Sequence, residues 1–225
     1  MKVAPIGVFC LIATTFSNIG WSAFAPMLKY IFAVMLALFI QCLITYMAML
    51  KIFAKLNPLT FLKKFFPVMS FAFSTSSSNA TIPLSIETLD NEIGVSEKIS
   101  SFTVPLGATV NMDGTAIMQV IAAIFIAASS GYSLTIQNVI LIAVLALIAS
   151  IGTPSAPGSS SIILFTVLTG MGFNNEATLI AYSLIIAINR PIDMLITCLN
   201  VIGDSATAVV VANSEGCLNK EIYNS

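Results

Sequence analysis

Long apolar runs, interrupted at a few polar points, set the rhythm of this chain. Residues 30–50 carry no charge between Lys29 and Lys51. About 20 apolar residues cross a bilayer core, so this stretch predicts a spanning helix. Residues 60–91 are apolar at both ends, with Ser74-Thr75-Ser76-Ser77-Ser78-Asn79 between the arms. Each arm is too short to cross alone and the polar run cannot face lipid, so the segment predicts a helical hairpin turning at its serines. Residues 99–130 are long enough to span but hold Pro105, Gly107 and Asn111-Met112-Asp113-Gly114-Thr115, which predicts a helix broken by an unwound turn. Residues 135–171 repeat the hairpin pattern around Gly152-Thr153-Pro154-Ser155-Ala156-Pro157-Gly158-Ser159-Ser160-Ser161. Residues 176–212 predict a last helix in which Asn189, Asp193, Thr197, Asn200 and Asp204 recur every third or fourth position, on one face. Two interrupted hairpins, each followed by a polar-centred helix, predict an inverted repeat. Paired interruptions of this kind point to the binding site of a transporter.

Composition fits that reading. The chain is 57% hydrophobic and 8% charged, with mean hydropathy +0.98, whereas a soluble domain carries about 25% charged residues. The expectation is an all-α, multi-pass integral membrane protein. A net charge of −1 argues against nucleic acid. The absence of His excludes a histidine-based metal site or general base. Cys10, Cys42, Cys198 and Cys217 show neither ligand nor disulfide spacing and read as small buried hydrophobes. Lys51, Lys55, Lys63 and Lys64 mark a cytoplasmic loop and read as topology determinants only. Glu87, Asp90, Glu92, Glu97 and Lys98 form a second charged loop on the same side, and Lys220 places a tail over 213–225 there too. The start, with Lys2, is punctuated by Pro5, Gly7, Asn18 and Gly20 and lacks a convincing cleavage site, so it reads as a short hydrophobic helix, not a signal peptide.

The candidate chemistry centres on Asp113, the only formal charge in residues 99–175. An ionisable residue inside a span marks a functional site by default. The bland alternative is a structural carboxylate paired with Arg190. Asp193, Asn200 and Asp204 on one face exceed what structure needs. Their hard oxygens, with unwound carbonyls, suit a small dehydrated cation such as Na⁺, although H⁺ fits the same residues. The serine runs read as hairpin tips; a linker, or small residues for helix packing, are the alternatives. An intramembrane aspartyl protease using Asp113 and Asp204 is disfavoured, because Val201-Ile202-Gly203-Asp204 lacks the first glycine of the Gly-x-Gly-Asp pattern and the hairpins stay unexplained. A channel is a further alternative.

Taken together, Asn111-Met112-Asp113-Gly114-Thr115, the serine-rich first tip, the Gly152-Thr153…Pro157-Gly158 second tip and Asp193-Met194…Thr197…Asn200-Val201…Gly203-Asp204 resemble the dicarboxylate/amino acid:cation (sodium) symporters, the glutamate transporter homologues. The resemblance runs from Ala4-Pro5-Ile6-Gly7-Val8-Phe9 to Glu215-Gly216. It implies a non-enzymatic symporter in the plasma (inner) membrane, trimeric at full length, whose mobile domain moves past a fixed scaffold. Residues 1–26 would match the end of the family's fifth helix and 27–216 its transport domain, with re-entrant hairpins. One sodium site would use carbonyls of Gly107, Asn111 and Asn200 with the Asp204 carboxylate. A second would use Thr109 and Met112 with carbonyls near Ser150, Ile151 and Thr153. Asp113 would join a third. Substrate would meet Ser78, Thr115, Ala156, Ser160, Asp193, Thr197 and Asn200. Beyond sodium as coupling ion, no cofactor is implied.

Two departures from the family pattern bear on function. Members that carry acidic amino acids have arginine where this chain has Ile196, and Ser76 replaces an arginine found in some first hairpins. An apolar side chain cannot pair a second substrate carboxylate. The expectation is a neutral amino acid, with glutamate, aspartate or a C4-dicarboxylate as the alternative. The family's first four helices and much of the fifth have no counterpart here, so the chain reads as a transport domain without its scaffold, with an inactive fragment as the other reading.

Overall fold

The computed structural model describes residues 24–224. Most of the expected helix over 1–26, together with Cys10, lies outside the described residues.

Helix α1 runs unbroken from Phe24–Ile40 through Gln41–Tyr46 and Met47–Met49 to Leu50–Ala54, overrunning the expected 30–50 at both ends. Its Gln41–Tyr46 and Leu50–Ala54 segments are π-wound. Helix α2 (Pro58–Thr75) begins where Asn57 accepts from the Leu59 N–H, with Pro58 in the first turn. It ends at Ser76 in the left-handed region. Helix α3 (Ser78–Thr88) is capped by Ser77 and continues as the π-turn Leu89–Ile93 to Gly94. The two pack into the first hairpin. The expected charged loop after it is therefore mostly helical, with only residues 94–96 linking to α4.

The broken helix is α4 (Glu97–Val110) and α5 (Asp113–Ser129), interrupted at Asn111 and Met112. The second hairpin is α6 (Ile136–Ile151) and α7 (Ser159–Gly170). α6 starts with a reciprocal cap between Thr135 and Asn138.

The expected single helix over 176–212 is corrected to two, α8 (Glu176–Ile188) and α9 (Arg190–Ser214). Pro191 has no N–H to bond back into α8, and its ring crowds the carbonyl four residues earlier. Asn189 sits at the break and its side chain is spent on both sides. It accepts from Tyr30 Oη at 2.8 Å and donates to Ser161 Oγ at 2.8 Å. With this break, each hairpin is followed by a broken helix.

α9 is the central element, with α1, α2, α3, α4 and α5 packed around it. Among the described residues, three helical stretches, Pro26–Ala54, Glu97–Ser129 and Arg190–Ser214, are long and apolar enough to cross a membrane. The outer faces of α1 and α6 expose Phe32, Phe39, Phe53, Ile140, Leu147 and Ile148.

The tail is also corrected. α9 extends to Ser214, and α10 (Lys220–Asn224) docks on the first hairpin's base. Tyr223 is fully buried and donates to the Asn57 carbonyl at 2.8 Å. Lys64, expected only to set topology, donates to the carbonyls of Glu92 and Ile222. Cys42 and Cys198 are half-buried but Cys217 is exposed, so the buried-hydrophobe reading fails for Cys217.

Candidate functional site

The site is made of backbone ends. Both hairpin tips, the α4–α5 break and the first turns of α9 meet in one small cleft. All seven expected substrate residues line it: Ser78, Thr115, Ala156, Ser160, Asp193, Thr197 and Asn200. So do Met112 and Thr153, expected around sodium, and Ile196. Ser76, noted above only as a departure from the family pattern, lines it as well, and so do Ser155 and Ser159, which were not singled out from the sequence. The serine runs signalled them as groups, but only the turn geometry decides which hydroxyl points inward.

The tips latch to each other. Ser77 Oγ donates to the Ser155 carbonyl at 2.7 Å, and Ser155 Oγ donates to the Ala108 carbonyl at 2.6 Å. The second hairpin is thus tied to the first and to the end of α4. The Ser160 hydroxyl donates to the Asp193 carboxylate. Gln119, one turn beyond Thr115, donates to the Ser160 carbonyl at 3.3 Å. The cleft's interior volume is about 20 Å³, on the scale of one water site. Anything larger than a water enters only when the tips part.

Charge inside the cleft is simple. Asp193 is its one ionisable lining residue, and Ile196 beside it is 3% exposed. Thr197 Oγ1 donates to the Asp193 carbonyl at 2.9 Å. Asn200 Oδ1 accepts from the Gly114 N–H at 2.9 Å, fixing the start of α5 on α9. Two helix N-termini, of α3 at Ser78 and α7 at Ser159, open onto the same space. Such ends carry partial positive charge.

Beside the cleft lies a second polar cluster. Asn111 Nδ2 donates to Asp204 Oδ1 at 2.9 Å. Gly107 approaches the same carboxylate so closely that a Cβ there would lie 2.5 Å from Oδ1. Gly107, Asn111 and Asp204 are thus brought together, with Asn200 one turn before Asp204 on α9.

Asp113 faces away from the cleft, towards α1. Gln41 Nε2 donates to its Oδ2 at 2.7 Å and the Tyr46 hydroxyl donates to the same oxygen. These, not Arg190, are its partners. Oδ1 is buried without a hydrogen bond. In a helix of 3.6 residues per turn, positions five apart diverge; the wider i→i+5 winding brings Gln41 and Tyr46 to one side. Neither was identified from the sequence, where the only signal was a pair of polar residues in an otherwise apolar span.

Three expected sodium residues fall outside the cleft and outside the Asp204 and Asp113 clusters. Thr109 is exposed and its hydroxyl bonds the Pro105 carbonyl. Ser150 is buried and bonds the Leu147 carbonyl. Ile151 is 47% exposed. The α4 and α6 helices carrying them are in contact.

Comparison with known proteins adds an independent line. The sequence profile of the sodium:dicarboxylate symporter family matches residues 1–214. The chain is 36% identical over 213 residues to an excitatory amino acid transporter of Caenorhabditis elegans, covering 94% of this chain and 42% of that protein. It is 34% identical over 219 residues to the proton/sodium-glutamate symport protein of Bacillus subtilis (strain 168), covering 97% and 50%. It is 36% identical over 208 residues to neutral amino acid transporter B(0) of Bos taurus, covering 91% and 38%. The chain therefore spans half or less of the length of these relatives.

Proposed function

Because the chain belongs to the sodium:dicarboxylate symporter family, whose members are transporters and not enzymes, we propose that it takes part in sodium-coupled symport of a neutral amino acid across the plasma membrane. The names of its relatives include both glutamate and neutral amino acid transporters, so the choice rests on the cleft. The observation that carries it is the cleft's charge. Asp193 meets the substrate ammonium, and the N-termini of α3 and α7 receive its α-carboxylate. A second carboxylate would find Ile196 and no cation among the lining residues. A glutamate, aspartate or C4-dicarboxylate substrate remains the second reading, favoured by the similarity to the Bacillus protein.

Sodium has its best oxygen set at Gly107, Asn111, Asn200 and Asp204. Met112 with Thr109, Ser150, Ile151 and Thr153 offers a second set and Asp113 a third. Hard oxygens around a buried carboxylate suit such a cation. We assign the two hairpins as re-entrant and the working assembly as a trimer in the bilayer. Cation binding orders the second hairpin, and substrate closes between the tips. Coupling then needs only that both ligands favour the same closed state, so that each raises the affinity of the other.

The test is substrate binding by the purified chain with and without sodium, over serine, alanine, aspartate and succinate. Sodium-dependent binding of serine or alanine, lost in Asp204→Asn, is the expected result. Sodium-dependent binding of aspartate or succinate instead overturns the substrate reading. Unchanged sodium dependence in Asp204→Asn overturns the ion site.

A further inference from the structure

Ser76 closes α2 with φ 50° and ψ 36°, a left-handed conformation shared by only one other non-glycine residue among those described, Lys55. Glycine makes such a turn without steric cost, and asparagine is the usual substitute. What serine adds is a hydroxyl, and its environment is unusual. Ser74 Oγ and Thr75 Oγ1 are bonded to the Phe71 carbonyl, and Ser77 Oγ to the Ser155 carbonyl. Ser76 Oγ is wholly shielded from solvent and has no partner. The residue is 3% exposed and lines the cleft.

A buried hydroxyl left unpaired carries a desolvation penalty and calls for an explanation. Most of the other cleft hydroxyls supply the contrast. Those of Ser155, Ser159, Ser160, Thr153 and Thr197 are committed to protein oxygens, and that of Thr115 meets the Met112 sulfur and the Asn200 amide. Ser78 shares the cleft without a side-chain hydrogen bond, but among the oxygens wholly shielded from solvent there, Ser76 Oγ is the one without a partner. Its backbone is pinned by a bond from its own N–H to the Ala72 carbonyl at 2.9 Å, so the hydroxyl is held in place with its hydrogen-bonding capacity unused. Ile196 supplies an apolar wall to the same cleft.

We propose that Ser76 is a specificity-determining residue whose hydroxyl reads the side-chain hydroxyl of a small β-hydroxy amino acid, so that the cleft prefers serine or threonine to alanine. This rests on the neutral amino acid reading above and sharpens it. The apolar wall accepts the aliphatic part of such a side chain, and the unpaired Ser76 Oγ accepts or donates the single hydrogen bond that alanine cannot make.

The experiment measures sodium-dependent binding of L-serine, L-threonine and L-alanine to the full chain, to Ser76→Ala and to Ser76→Gly. The readout is the serine-to-alanine affinity ratio, which does not depend on how much of each variant is folded. Ser76→Gly relieves the backbone turn while removing the hydroxyl, so a change common to both variants belongs to the hydroxyl. The expected result is a ratio above one in the native chain that falls about three- to tenfold in both variants, the range of one net hydrogen bond. A ratio unchanged in both overturns the proposal and leaves the neutral reading standing, because the hydroxyl then serves a group common to both substrates, such as the α-carboxylate. Sodium-dependent binding of aspartate or succinate in place of these amino acids overturns the neutral reading itself, and the proposal with it.

Discussion

Ile196 is the residue on which the substrate reading turns. It lies one turn from Asn200 on the face of α9 that enters the cleft, buried among hydroxyls and a carboxylate. Replacing it with arginine adds a planar, always-charged donor fork suited to a carboxylate. Ile196→Arg is expected to gain at least about tenfold in affinity for aspartate relative to serine, one charge-assisted hydrogen bond being worth roughly 1.5–3 kcal/mol. Competition binding in the presence of sodium measures this, and no gain for aspartate would count against the role given to Ile196. Much of this face was readable in advance. Asp193, Thr197, Asn200 and Asp204 share one helix, and a local period of three or four places them together without tertiary information. The partners of Asp113 were not readable. Gln41 and Tyr46 lie 72 and 67 positions away, and only the π-winding of α1 turns both toward it. The suggestion of Arg190 followed charge alone, whereas the structure satisfies the carboxylate with neutral donors.

The elements meet where their regular winding stops, and glycine decides how closely. On α9, Gly203 faces the Tyr46 hydroxyl, and a Cβ there would collide with it and lie 2.8 Å from Asn111 Nδ2. The missing side chain therefore lets α1 and the α4–α5 break converge on α9, linking the Asp113 and Asp204 clusters. Gly203→Ala is expected to lower stability by about 1–3 kcal/mol through overpacking. Adding Tyr46→Phe removes the clashing oxygen, so the double variant should lose less than the sum of the two single losses. Thermal unfolding of the four proteins measures the cycle; simple additivity would refute the close approach. Hairpins, tips and the first break were legible because each apolar arm is too short to span and each interruption is dense in serine, glycine or proline. The second break, at Asn189, was missed. One proline next to an arginine inside a strongly apolar run left the helical period intact, and the local effect of Pro191 was outweighed by that period.

Across the whole molecule, polar groups are gathered inward and apolar faces outward, the arrangement a bilayer imposes because unpaired backbone cannot face lipid. The irregular second tip is tolerated because it is tied to the first hairpin and to α4. At the opposite end of the first hairpin the tail closes the structure. Val95 pairs with Leu218, Asn219 N–H donates to the Gly94 carbonyl at 2.7 Å, and Tyr223 bonds Asn57. In the sequence Tyr223 alone marks this segment as a docking element, and its partner Asn57 lies 166 positions away. Burial pushes the Tyr223 phenol up to about 12 from its usual 10. The neutral phenol is the form that is buried and bonded, so its contribution to stability is complete below pH 10. It is lost as pH rises from 10 through 12, where the unfolded chain ionises first. Lys64 donates to the Ile222 carbonyl in the same region, so the comparison must keep it. Tyr223→Phe does so. It is expected to cost about 1 kcal/mol near neutral pH, from the lost hydrogen bond, and to show a shallower loss of stability between pH 10 and 12 than the native chain. Unfolding temperatures recorded across that range decide it, and equal slopes in the two proteins would remove Tyr223 as the group that fastens the tail.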